Sequence, residues 1–140
     1  MKGRTVLLDT NAYSRLMQGE EFVIRVANEA GRVLLCSVVF GELESGFRGG
    51  NRYEQNKKDL NEFCSDQKVE KVFSSEKTAA IYGELMSALR RAGTKIPTND
   101  VWIGAFAKEH GAVVFSFDHH MKAMLSQGVE CVEIRETSHA

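Results

Sequence analysis

The sequence has a single proline and no low-complexity stretch, so nothing in it reads as a long linker. Its three cysteines, Cys36, Cys64 and Cys131, are far apart and odd in number, and form neither a CxxC pair nor a zinc spacing. That pattern points to a reducing compartment, with Cys36 and Cys131 expected as small core hydrophobes within apolar, strand-like runs. A basic excess is missing too. Eighteen Lys and Arg stand against nineteen Asp and Glu, for a formal net charge of −1. A coat that grips nucleic acid by bulk charge is therefore excluded, and any such contact has to come from a local patch. The apolar run after Met1-Lys2-Gly3-Arg4 is only a few residues long before Asp9, too short for a signal peptide or a membrane helix. A cytoplasmic location is expected. No repeat with a period of about 20–50 residues is present.

What remains is an ordinary globular composition, 43% hydrophobic and 26% charged over 140 residues. That is the size of one domain, and no boundary is visible, so residues 1–140 are expected to fold as one. A chain of this length buries roughly 68–70% of its extended surface and needs no staples.

Val6-Leu7-Leu8, Val33 to Cys36 and Ala112 to Phe115 are continuous apolar runs, which predict strands buried on both faces of a parallel sheet. Val69 to Phe73 and Val129 to Ile134 are further strand candidates. Helices are predicted over Glu21 to Ala30 with Gly31 as the stop, and from a Ser37 cap through Val39, Leu43 and Phe47 to Gly49-Gly50. Others are predicted over Asn51 to Gln67, from Ser74-Ser75-Glu76 to about Ala92, and from a Thr98 cap through Asn99 to His110. A short one runs on from Asp118 through Leu125. Strands alternating with helices imply crossover connections, hence a three-layer α/β/α domain around a central parallel sheet.

Ligands of such sheets bind beyond the carboxyl ends of the strands. Asp9 ends the first strand, and Asp118 follows the third strong one. Asp100 lies in the first turn of a helix and Glu42 in the second turn of the helix leaving the second strand. Singly, Asp100 reads as a cap or dipole partner, and Asp9 and Asp118 as turn formers. Glu42 is different, because it interrupts the apolar segment Val38-Val39-Phe40-Gly41-Glu42-Leu43. Jointly, all four reach one rim. At an effective dielectric near 20, two such charges about 5 Å apart cost roughly 3 kcal/mol. A hard divalent cation removes that penalty, and oxygen donors suit Mg²⁺ or Mn²⁺. Held near a phosphodiester, such an ion supports hydrolysis.

Four segments carry a family resemblance: Leu7-Leu8-Asp9-Thr10-Asn11, the Glu42 helix, Pro97-Thr98-Asn99-Asp100 with Ile103-Gly104-Ala105, and Val113-Val114-Phe115-Ser116-Phe117-Asp118. In this order and spacing they resemble a PIN domain, and more closely a VapC-like toxin ribonuclease of a type II toxin–antitoxin pair, over nearly the whole chain. The resemblance implies that Asp9, Asp100 and Asp118 bind Mg²⁺ or Mn²⁺, with Glu42 a further ligand or the group that polarises the attacking water. It makes Asn11 and Ser116 candidates to hydrogen-bond the ligating carboxylates or a phosphate. It implies an RNA substrate, a cognate antitoxin covering the acidic site, and a homodimer. The family often has Ala in place of Gly104, Thr in place of Ser116 and an aromatic in place of Met121.

The histidines add little to this reading. Adjacent residues rarely point the same way, so His119 and His120 are expected to be exposed or beside the substrate rather than a transition-metal pair. His110 suits a helix C-terminus, and His139 a mobile tail. Arg48, Arg52, Lys57 and Lys58, or Arg90, Arg91 and Lys95, offer charge for phosphates, though a charged run is more often a solvated face. Trp102 and Phe106, four apart, suit core or subunit packing. Two rivals stand beside the nuclease. A phosphoaspartate enzyme of the haloacid dehalogenase type needs a second acid where Asn11 stands, and a non-catalytic PIN-like module would bind RNA or protein without cleaving.

Overall fold

A computed structural model describes residues 2–133. The elements run β1 (Thr5–Leu8), α1 (Thr10–Met17), α2 (Glu21–Glu29), β2 (Arg32–Cys36), α3 (Ser37–Gly49), α4 (Tyr53–Cys64), β3 (Val69–Val72), α5 (Glu76–Arg91), α6 (Thr98–His110), β4 (Val113–Ser116), a 3-10 helix (His119–Gln127) and β5 (Cys131–Glu133). Ile134, the end of the expected last strand, and His139 lie outside the described residues.

All five strands pair in parallel, in the order β3-β2-β1-β4-β5. Val6, Leu7 and Leu8 of the central strand are completely buried, as are Leu34, Leu35 and Cys36 of β2 and Val114 of β4. The apolar runs lack alternation because helices cover both faces of the sheet. Chain progress from β1 through β2 to β3 steps one way along the sheet, and from β3 through β4 to β5 it steps back across. Right-handed crossovers then set the two groups of helices on opposite faces, giving the three-layer α/β/α fold. The direction reverses between β1 and β4, and an open sheet of this kind gathers its ligand groups at that crevice.

Several helix ends differ from those that the sequence predicts. Ser37 and Thr98 do not cap their helices. Each is the first helical residue, after Cys36 and Pro97, neither of which makes a side-chain cap bond. At Ser37 the strand feeds straight into the helix, leaving no loop residue to serve as the cap. Ser75 does cap α5, in a reciprocal pair with Thr78. Gly31 is no left-handed stop, since its φ is not positive. It is small because a Cβ there would come within 2.6 Å of the Gly3 carbonyl oxygen. The helix after β1, the shorter α4 and the 3-10 character of the last helix are further differences from the predicted elements. Cys36 is buried, whereas Cys131 is only partly so on the edge strand. Trp102 stacks on Tyr82 of α5 at 4.0 Å between centroids, and Phe106 is fully buried, so both serve packing within the chain.

Candidate active site

Register builds the centre of the site. Leu8 pairs with Phe115, and the Asp9 amide donates to the Phe115 carbonyl at 3.1 Å, so the next residues, Asp9 and Ser116, stand side by side. The Ser116 hydroxyl donates to Asp9 Oδ2 and accepts from the Asp118 amide at 2.9 Å. One buried hydroxyl thus ties together the ends of β1 and β4. Asp9 is also the N-cap of α1, its Oδ1 accepting from the Ala12 amide at 2.8 Å. The carboxylate is only 6% exposed, and burial pushes its pKa up to about 6 against the pull of those two donors, with Asp100 and Asp118 adding repulsion.

Asp100 enters from the first turn of α6 and is partly buried. Burial raises its pKa as well; His120 works against that rise, while Asp118 and Glu42 add to it. Asp118 caps the 3-10 helix by accepting from the His120 amide at 2.9 Å. Glu42, on α3, is held by Thr10, whose hydroxyl donates to Oε1 at 2.8 Å. The structure therefore brings Asp9, Asp100, Asp118, Glu42 and Ser116 to one rim, as the sequence predicts.

Asn11 is the exception. It is exposed in α1, and among the described residues its side chain forms no bond to any of the acids; Thr10, one position earlier, takes the place next to Glu42. His120, expected to be exposed or beside the substrate, lies against two of the acids. Its Nδ1 lies 2.9 Å from Asp118 Oδ1 and 3.1 Å from Asp100 Oδ2, while the His119 side chain is 78% exposed. The signal was present in Asp118, a residue type that caps helices. A cap turns the following residues back towards its own carboxylate.

The donors fit a hard divalent cation. A buried carboxylate with a raised pKa faces two others, and His120 Nδ1 lies against both Asp100 and Asp118. Neighbouring surfaces differ in charge. Glu44 pairs with Arg48 at 3.6 Å and with Lys57, and accepts from the Tyr53 hydroxyl at 2.9 Å, so half of that basic group is neutralised within the chain. Arg90 and Lys95 instead line a pocket of about 440 Å³ together with Ile96 and Thr98, just before Asp100. On the other flank Glu42 and Asn99 line a groove of about 640 Å³, kept open by Gly41, Ser45 and Gly46.

Residues 6–124 match the PIN domain family, and the chain belongs to that family. Ribonuclease VapC1 of Haemophilus influenzae (strain R2866) is 28% identical over 120 residues, covering 83% of this chain and 87% of that protein. Ribonuclease VapC4 of Mycobacterium tuberculosis is 31% identical over 87 residues, covering 62% of this chain and 67% of that one. Among solved structures, DNA-bound VapBC from Salmonella typhimurium superposes with a TM-score of 0.80 at 22% identity, covering 93% of this chain and 98% of that one. VapBC2 from Rickettsia felis, bound to a DNA fragment from its promoter, gives 0.78 at 22%, with 94% and 99% covered. These two likenesses bear on the fold.

Proposed function

We propose that this chain is a divalent-metal-dependent endoribonuclease, the toxin of a VapBC-like toxin–antitoxin pair, acting in the cytoplasm as a homodimer of one-domain subunits. The observation that carries the reading is the convergence of Asp9, Asp100 and Asp118 at the reversal point between β1 and β4, with Glu42 alongside. The ribonuclease names of the relatives supply the substrate class, and the VapBC assemblies supply the antitoxin partner.

Asp9, Asp100 and Asp118 would hold Mg²⁺ or Mn²⁺. When bound, the cation supplies positive charge that offsets the phosphate's and makes water more acidic. Ser116 fixes the angle of the Asp9 carboxylate and the approach of the Asp118 backbone. Thr10 holds Glu42 at the mouth of its groove, where the carboxylate can orient a water and accept its proton as the phosphodiester is attacked. Arg90 and Lys95, which line the pocket preceding Asp100 in the sequence, would take flanking phosphates.

Purified protein incubated with a generic single-stranded RNA tests the reading. Cleavage is expected with Mg²⁺ or Mn²⁺, none in chelator, and none by Asp100→Asn. Equal cleavage by Asp100→Asn would remove the acids from the chemistry, and RNA binding without cleavage would favour a non-catalytic module.

A further inference from the structure

The geometry points to His120 as a nitrogen ligand of the metal, which makes the site a mixed oxygen and nitrogen centre that prefers Mn²⁺ to Mg²⁺. This rests on the metal-dependent reading above and goes beyond its all-carboxylate donor set.

One ligand atom each from Asp100, Asp118 and His120 lies within 4.8 Å of the others. The two distances from His120 Nδ1, 2.9 and 3.1 Å, are the relevant ones. Adjacent donors on a six-coordinate ion with bonds of about 2.1 Å lie about 3.0 Å apart. The ring nitrogen thus already stands at the separation from both carboxylate oxygens that a shared ion requires. The arrangement is also held from outside. Asp118 fixes the His120 backbone through the 2.9 Å amide bond, Ser116 fixes the Asp118 amide, and Met121, the next residue, is buried at 1% exposure. The ring itself is 32% exposed, so it can move the short distance that ligation needs.

The donor chemistry decides the preference. Mg²⁺ takes oxygen and retains its waters, whereas Mn²⁺, which also favours oxygen, is a first-row transition ion and tolerates one imidazole nitrogen among carboxylates. The neutral nitrogen therefore costs Mg²⁺ more than it costs Mn²⁺.

The test uses the metal alone, with no RNA present. Calorimetric titration of the full chain with MnCl₂ and with MgCl₂ should show Mn²⁺ bound about tenfold or more tightly. Changing His120→Asn should weaken Mn²⁺ by roughly 10–100-fold, the size of effect seen when a group that supports a metal is lost, and leave Mg²⁺ within about threefold. His120→Asp, which restores an oxygen donor, should remove the preference, and His119→Asn should change neither affinity. Electron spin echo spectra of the Mn²⁺-loaded protein should carry a ¹⁴N coupling that disappears in His120→Asn. An unaltered Mn²⁺ affinity in His120→Asn, or a spectrum without ¹⁴N coupling, overturns the His120 assignment while leaving the carboxylate site intact. Failure of the wild-type chain to bind either ion overturns the metal-dependent reading itself.

Discussion

Ser116 donates its hydroxyl proton to Asp9 across 107 positions of sequence, because the parallel pairing of Leu8 with Phe115 makes them neighbours. Removing that donor separates its roles. Ser116→Ala should weaken metal binding roughly 10–100-fold, since the Asp9 carboxylate loses the group that aims it. It should also destabilise the chelated protein by about 1–3 kcal/mol at neutral pH, where a buried charge loses a hydrogen bond. Ser116→Thr keeps the hydroxyl and should restore most of both. Metal titration and urea unfolding check this, and an Ala variant with unchanged affinity would contradict it.

Burial raises Asp9 from 3.8 to about 6, so between those values the folded, metal-free chain holds a proton that the unfolded chain has released. The resulting stability is fully present below about pH 4 and is lost as pH rises through about 6, a difference of at most about 3 kcal/mol. Asp100 is shifted in the same direction. In chelator the protein should therefore be more stable near pH 5 than above about pH 7. Asp9→Asn should flatten that difference and match or exceed the parent at neutral pH, while losing metal-supported cleavage. Thermal melts across pH measure it; a large loss of stability in Asp9→Asn would mean that the carboxylate is structural.

Glu42 is held by Thr10 rather than by another acid. Glu42→Gln should keep normal metal affinity and lose about 10²–10⁴-fold in cleavage rate, the range for a positioned general base. Thr10→Val should lower the rate less, because Glu42 keeps its chemistry but not its aim. Full cleavage by Glu42→Gln would remove the base role.

Gly104 lies within α6, and a Cβ there would meet Met124 Sδ at 2.8 Å. Met124 is fully buried, so Gly104→Ala should overpack the core and cost about 1–3 kcal/mol in denaturant unfolding. Adding Met124→Val should recover part of the loss, since two residues in contact are not additive. Additive costs would show that the thioether does not occupy the methyl's space.

The sheet was legible because β1, β2 and β4 are buried on both faces, which forces continuous apolar runs such as Val33 to Cys36. The acids were legible for a related reason: Asp9 follows such a run directly, Asp118 stands two residues past the end of β4, and Glu42 breaks an apolar segment. What escaped depended on helix phase. Whether Thr10 or Asn11 meets Glu42 turns on where α1 begins. The rule that neighbours diverge fails at the histidine pair. The two rings lie 4.8 Å apart, and His119 Nδ1 is 3.9 Å from Asp118 Oδ1, because the Asp118 cap turns both residues back towards its carboxylate. Likewise the Arg48 and Lys57 charges looked available until α3 and α4 placed Glu44 against both.

Calorimetric metal titration of three proteins, the parent chain, Asp9→Asn and Asp100→Asn, tests the central claim most directly. Residues 91 positions apart in sequence should each be needed for the same binding event, so each substitution should weaken Mn²⁺ and Mg²⁺ about tenfold or more. Full-strength binding by either variant would mean that the two carboxylates do not share an ion.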